Sequence, residues 1–261
     1  LGTIGDIGAM SLMAGKSFAI GEGGMLTTDD PEILKRAVIF GHYDRIIDVC
    51  TDEEMKDVKN IPWGGLKNRM HQTSAAIGLE QLEKHDREIA EIDRAMKYFW
   101  SGISDIPGIS MIYPREEGSD KAGWYASRFL YDPAAFGGVS NVTFSDALNA
   151  ETGGDFSFGC NMPLHLSSVF FDVDIYGHGR PTARAFLPEG VDIRAESGSL
   201  PVADSINGRV LGEPWFKTCD PAKIDPYIEA VRKVAANFEE LLPINDTTPV
   251  LGGVALSKRK R

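Results

Sequence analysis

Apolar residues crowd two short runs near the start of the chain, residues 7–13 and 24–28, and both read as buried strands. Asp30-Pro31 then opens a helix, with Asp30 as N-cap and Pro31 at the first helical position, and Ile33, Leu34, Ala37 and Val38 keep helical spacing up to Gly41. From His42 to Pro62 the pattern is charged and irregular, a surface excursion. Ala75, Leu79, Leu82, Ile89, Ile92, Met96 and Phe99 fall on one stripe, which predicts a long helix from about His71 to Ile103. Pro107-Gly108 breaks the chain before strands at Ile109–Tyr113 and Trp124–Tyr131 and a capped helix from Thr143 to Ala150. Residues 153–190 lack periodicity and are rich in Gly, Pro, His and aromatics, as binding loops are. A short helix over Pro201–Val210 and a last one from Asp225-Pro226, with Ile228, Val231, Ala235, Phe238 and Leu242 on one face, complete the reading.

Between the first two strands stands the most informative stretch, Ser11-Leu-Met-Ala-Gly-Lys16, with Gly21-Glu22-Gly23-Gly24 just beyond it. A lysine between an apolar run and a glycine-rich turn is badly placed for solvent and well placed for a ligand. The glycines let backbone approach that ligand closely. A Schiff base with a carbonyl cofactor, commonly pyridoxal phosphate (PLP), is one use of such an amine.

Composition narrows the field. The 261 residues are 43% hydrophobic, enough for one large or two modest domains, and the net charge of −11 argues against nucleic acid or an anionic membrane as main partner. The basic run Lys258-Arg259-Lys260-Arg261 reads as a frayed terminus. Cys50, Cys160 and Cys219 are odd in number and widely spaced, without metal or disulfide pattern. With no membrane-length apolar run and no secretory signal, a cytoplasmic protein without membrane attachment or bound metal is expected. The start at Leu1, already inside a strand-like run, predicts a chain cut from something longer.

The stretches GTIGDIGAMSLMAGKSFAIGEGGMLTTDDPE, GGLKNRMHQTSAAIGLEQLEKHD, SLPVADSINGRVLGEPWF and IDPYIEAVRKVA resemble, in order and spacing, the C-terminal part of the DegT/StrS-type sugar aminotransferases, fold type I PLP enzymes. The resemblance implies an α/β fold: residues 1–90 as the C-terminal part of the PLP-binding large domain, then 91–261 as a smaller α+β domain. It implies that Lys16 is the catalytic Schiff-base lysine and proton shuttle, in a pocket that lowers its pKa, and that Ser11 hydrogen-bonds the PLP phosphate. Gly21 to Gly24 match a turn near the cofactor, either in contact with it or simply required by the fold. Lys67-Asn68-Arg69 lies where the family has Gly-x-Asn-x-Arg, which reaches the phosphate of a neighbouring subunit's cofactor. Here Lys67 takes the usual asparagine position and Asn68 is shifted by one, so which of the three serves the phosphate stays open.

His165 matches a histidine near the family's sugar-binding region, whereas Tyr176, His178 and Arg180 sit on a glycine-rich loop without family counterpart, suited to an anionic or polyhydroxylated substrate. The implied activity is transfer of an amino group from glutamate or glutamine to a keto sugar, commonly nucleotide-linked, in polysaccharide or antibiotic biosynthesis, by a cytoplasmic homodimer. Aminocyclitol and aminohydroxybenzoate formation stay open, and so does a non-catalytic regulatory or pseudoenzyme role. The family's dehydratase branch carries histidine at the lysine position, so Lys16 argues against it. The acidic partner of the pyridine nitrogen, the stacking aromatic and the first phosphate loop lie upstream in the family. About a domain's worth of residues is therefore expected to precede Leu1, and without them the chain is expected to bind PLP poorly.

Overall fold

A computed structural model describes residues 2–42, 45, 49, 66–167, 172–182, 187–191 and 200–250. Cys50, most of the 42–62 excursion and the basic run 258–261 lie outside these residues. The chain divides into two compact units, Leu1–Ile89 and Ala90–Arg261.

In the first unit, β1 (Gly8–Ser11) pairs antiparallel with β2 (Gly24–Thr27), Gly8 opposite Thr27 and Ser11 opposite Gly24. These strands are not buried as their apolar pattern predicts. Only Gly8 is; among the described residues the two strands form a two-stranded sheet with no further strand paired to either edge. Helix α1 (Pro31–Gly41) starts where the sequence places it: Asp30 Oδ1 accepts from the N–H groups of Glu32 at 2.7 Å and Ile33 at 3.3 Å. The long helix α2 spans Gln72–Ser101. Its apolar stripe has two fates. Ile92, Met96 and Phe99 are buried, whereas Leu79 and Leu82 are 67% and 62% exposed, so periodicity located the helix but not the reach of its cover.

The second unit is an antiparallel sheet with helices. Strands β3 (Ile109–Met111), β4 (Arg128–Tyr131), β5 (Ser157–Phe158) and β6 (Val210–Gly212) lie in the order β3-β4-β6-β5. The predicted strand from Trp124 is shortened to its last four residues, since Ala122, Trp124 and Ala126 take φ near +50°, which no strand accommodates. Helix α3 (Asn141–Thr152) is capped by Ser140, whose Oγ accepts from Thr143 N–H at 3.1 Å. The short helix α4 (Pro201–Ile206) stops before the predicted end at Val210. Val210 instead begins β6, the apolar strand that the helix reading absorbed. Helix α5 (Pro221–Ala236) begins one turn earlier than predicted, capped by Asp220, and carries Pro226 in its interior. Asp220-Pro221 and Asp225-Pro226 are equivalent start signals, and the first of them caps the helix.

The core of this unit is aromatic. Tyr131 stacks on Phe136 with centroids 5.2 Å apart and an interplanar angle of 2°, and both rings meet Phe144. The Tyr131 hydroxyl donates to Val139 O at 2.7 Å, and its burial raises its pKa well above the usual phenol range.

Candidate active site

Lys16 sits on the loop joining β1 to β2, and backbone hydrogen bonds close that loop on itself. Leu12 N–H donates to Gly23 O at 2.9 Å, Ile20 N–H to Leu12 O at 2.9 Å and Lys16 N–H to Met13 O at 3.0 Å. Two side chains fix it to α2: Ile20 is 1% exposed, and the Phe18 ring meets His85 edge-on at 5.2 Å. The Lys16 side chain is half-buried, whereas Ser11, at the end of β1, is exposed. The glycines that follow answer a demand of the backbone. Gly21 holds φ +93°, and a Cβ on Gly23 would stand 2.7 Å from Ile20 Cδ1.

The segment 66–69 is tied to the end of α1. Leu66 N–H donates to Phe40 O at 2.6 Å, Asn68 N–H to Gly41 O at 2.7 Å, and Lys67 bridges His42. Extended backbone sends successive side chains to opposite sides. Lys67 accordingly lines a cavity of about 580 Å³ with Arg45, Arg69 and His71 at the start of α2, while Asn68 lines a separate one of about 950 Å³ bounded by β2 and α1. Arg69 borders both. Three cations, Arg45, Lys67 and Arg69, surround one cavity beside Gln72, the first residue of α2, and favour an anion there, while His71 Nδ1 accepts from Thr73 N–H at 3.2 Å. Neither Lys16 nor Ser11 lines either cavity. Arg45 and His71 were not singled out from the sequence; an Arg and a His bracketing a basic triplet were the available signal.

In the second unit His165 lies on the single turn Leu164–Leu166, and its Nε2 stands 2.6 Å from Asp204 Oδ1, so its ring is fixed by a carboxylate on α4. Asp204 also accepts from Leu200 N–H at 3.1 Å. His178 and Arg180 share one loop, organised by a residue the sequence reading passed over. Asp174 accepts from His178 N–H at 3.0 Å and Gly179 N–H at 2.8 Å. The backbone N–H of His178, with those of Gly179 and Gly177, holds the Asp174 carboxyl below its ordinary pKa. An Asp three residues ahead of Gly-x-Gly is a recognisable turn signal. Tyr176 faces His178 at 5.9 Å, and Arg180 donates to Leu187 O at 3.3 Å.

A buried ionic pair lies deeper in the same unit. Glu213 Oε2 accepts from Trp100 Nε1 at 2.7 Å, and the Lys121 amine stands 3.8 Å from Oε1 and 4.4 Å from the centre of the Trp124 ring. Burial raises the Glu213 pKa and lowers that of Lys121.

Known proteins resemble this chain over most of its length. A protein of Streptoalloteichus tenebrarius, provisionally assigned as an L-glutamine:3-amino-2,3-dideoxy-scyllo-inosose aminotransferase, is 26% identical over 245 residues, covering 92% of this chain and 56% of its own length. The solved aminotransferase TlmJ from Streptoalloteichus hindustanus superposes with a TM-score of 0.66 at 21% identity, over 91% of this chain and 54% of that one. The Escherichia coli GDP-4-keto-6-deoxy-D-mannose-3-dehydratase, solved with bound hydrated PLP, gives 0.61 at 19% identity, over 88% and 55%. The chain thus spans about half the length of the relatives it matches. The description of the DegT/DnrJ/EryC1/StrS aminotransferases fits residues 1–210, and the chain belongs to that family.

Proposed function

We propose that this chain is the lysine-bearing part of a PLP-dependent aminotransferase that moves an amino group from glutamate or glutamine to the ketone of a nucleotide-linked sugar, or of a cyclitol as named for the Streptoalloteichus relative. The observation that carries this reading is a half-buried lysine on a self-closed loop, five residues after an exposed hydroxyl, in a chain of this family.

The donor set fits the cofactor at two ends. Lys16 offers a primary amine to its aldehyde and Ser11 a hydroxyl to its phosphate, while Lys67, Asn68 and Arg69 offer an amide and two cations to the phosphate of a second protomer's cofactor. PLP, when bound, supplies the aldehyde and the electron sink for amino transfer. Lys16 Nζ would hold the cofactor and carry a proton to and from the carbon being aminated. The closed loop limits how far that amine can stray, and the Lys67 and Arg69 cavity would hold the phosphate of a second protomer in a cytoplasmic homodimer. His165, oriented by Asp204, and the His178 and Arg180 loop would contact the sugar and its anionic group. In this reading residues 1–90 belong to the cofactor-bearing domain and 91–261 to a smaller one. The dehydratase alternative finds lysine, not histidine, at position 16.

Borohydride reduction of the full-length protein in the presence of PLP, followed by peptide mapping, tests the assignment. The pyridoxyl mass is expected on the peptide containing Lys16 and is expected to vanish in Lys16→Ala. Its appearance on another lysine alone, or on none, refutes the role.

A further inference from the structure

His165 meets a carboxylate at one ring nitrogen. Its Nε2 stands 2.6 Å from Asp204 Oδ1, and among the described residues no other group hydrogen-bonds the ring. A carboxylate accepts but cannot donate, so the proton between the two belongs to the imidazole and sits on Nε2. In a neutral ring the other nitrogen then carries a lone pair. Nδ1 is an acceptor.

Both partners are held in place by the backbone around them. Asp204 N–H donates to Leu200 O at 2.8 Å, and Asp204 Oδ2 accepts from Leu200 N–H at 3.1 Å. The backbone thus engages one carboxylate oxygen and the imidazole the other. His165 rides on a turn closed by Leu166 N–H to Pro163 O at 3.0 Å and Ser167 N–H to Leu164 O at 3.1 Å. Its side chain is only 10% exposed, so packing opposes the half-turn of the ring that would exchange its nitrogens.

We propose that Asp204 is a positioning residue that fixes the Nε2–H tautomer of His165, and that Nδ1 accepts a hydrogen bond from a hydroxyl of the substrate ring; this rests on the aminotransferase reading above. A lone pair takes a hydroxyl hydrogen and repels the oxygens of a phosphate or carboxylate. The position therefore selects a polyhydroxylated ring, sugar or cyclitol, and leaves any anionic group of the substrate to other residues. A ring without that hydroxyl leaves the acceptor unmatched and is rejected.

Nitrogen NMR on full-length protein labelled at histidine tests this at pH ~8, above the ordinary histidine pKa of about 6.5, with His165→Gln identifying the resonances. The parent is expected to carry its proton on Nε2 and none on Nδ1. Asp204→Asn should reverse the tautomer: its amide oxygen keeps the Leu200 N–H, which turns the NH2 toward Nε2 and drives the ring proton to Nδ1. Scyllo-inosose, a keto ring bearing hydroxyls, is expected to shift Nδ1 of the parent, whereas cyclohexanone and inorganic phosphate leave it in place. Affinity for scyllo-inosose should fall about tenfold in Asp204→Asn, the loss of one hydrogen bond. Circular dichroism checks that the variant is folded; if it is not, the parent's tautomer and its response to the three probes decide. A parent protonated on Nδ1 or on both nitrogens overturns the proposal, as does an unchanged tautomer in folded Asp204→Asn. A shift produced equally by cyclohexanone or phosphate, or by none of the probes, overturns it as well. Borohydride labelling of Lys16 in the same protein reads the aminotransferase assignment separately, so the two can fail independently.

Discussion

Asn141 opens α3 at 1% exposure, and its amide joins that helix to the start of β6. Its Nδ2 donates to Asn207 O at 2.7 Å and to Val210 O at 2.9 Å, while Asn207 Oδ1 accepts from Cys160 N–H at 2.6 Å. Replacing Asn141 with Ala leaves the Asn207 carbonyl without this donor, whereas Val210 O keeps its hydrogen bond from Gly159 N–H at 2.9 Å. One unsatisfied buried acceptor costs about 1–3 kcal/mol, so a loss of about 1–3 kcal/mol is expected. Urea unfolding followed by tryptophan fluorescence reads this unit well, because Trp100, Trp124 and Trp215 are three of the chain's four tryptophans. Asn141→Asp sharpens the test. The introduced carboxyl faces two carbonyls in a buried site, so its folded pKa lies above the ordinary aspartate value near ~3.9. Its stability contribution is therefore retained below that value and lost as pH rises through the folded pKa. The Asp variant should approach the Ala variant near pH 4 and fall below it at pH 7. A loss under about 0.5 kcal/mol in Asn141→Ala, or an Asp variant indifferent to pH, refutes the reasoning.

Three further outcomes are expected. Burial raises the Glu213 pKa, so the carboxyl favours the folded state when protonated, and this advantage fades as pH climbs above 4.5. Glu213→Gln, which cannot ionise, should gain stability relative to the parent between pH 4 and 7 in urea titrations; a constant difference contradicts this. Gly108 holds φ +86°, and a Cβ there would stand 2.4 Å from Ala135 Cβ and 2.8 Å from the Phe136 ring. Gly108→Ala should lower stability by at least about 2 kcal/mol, read as a shift in denaturation midpoint at unchanged slope. The depressed Asp174 pKa means that its turn contributes order above the ordinary value of 3.8 and loses it as pH falls through the lowered one. Asp174→Ala should speed amide exchange at Gly179 severalfold at pH 7, and unchanged protection would remove Asp174 from its role.

Local chemistry carried the sequence reading a long way. Asp30-Pro31 fixes the start of α1 because a carboxylate and a missing N–H answer the same unsatisfied helix end. The seven-position stripe marked α2 nearly to the residue. Lys16, Ser11 and the Lys67-Asn68-Arg69 triplet stand out in the sequence by residue type and by resemblance to a family pattern, from which Lys67 departs.

Other features had no local signature. Val210 reads as the tail of a helix until β4 and β5 flank it, since strand pairing joins residues about 50 to 80 positions apart in sequence. The turn at 122–126 defeats a strand whose apolar content is adequate, because left-handed backbone angles are imposed by packing around Trp124. Alternation along 66–69 sends Lys67 and Asn68 into different cavities, which a basic triplet cannot disclose. The sequence by itself determined which groups are present and where helices begin, for those depend on neighbours within one turn. Only the tertiary structure decided which carboxylate meets which cation and which apolar stripe is covered, because those contacts depend on distances that no local spacing encodes.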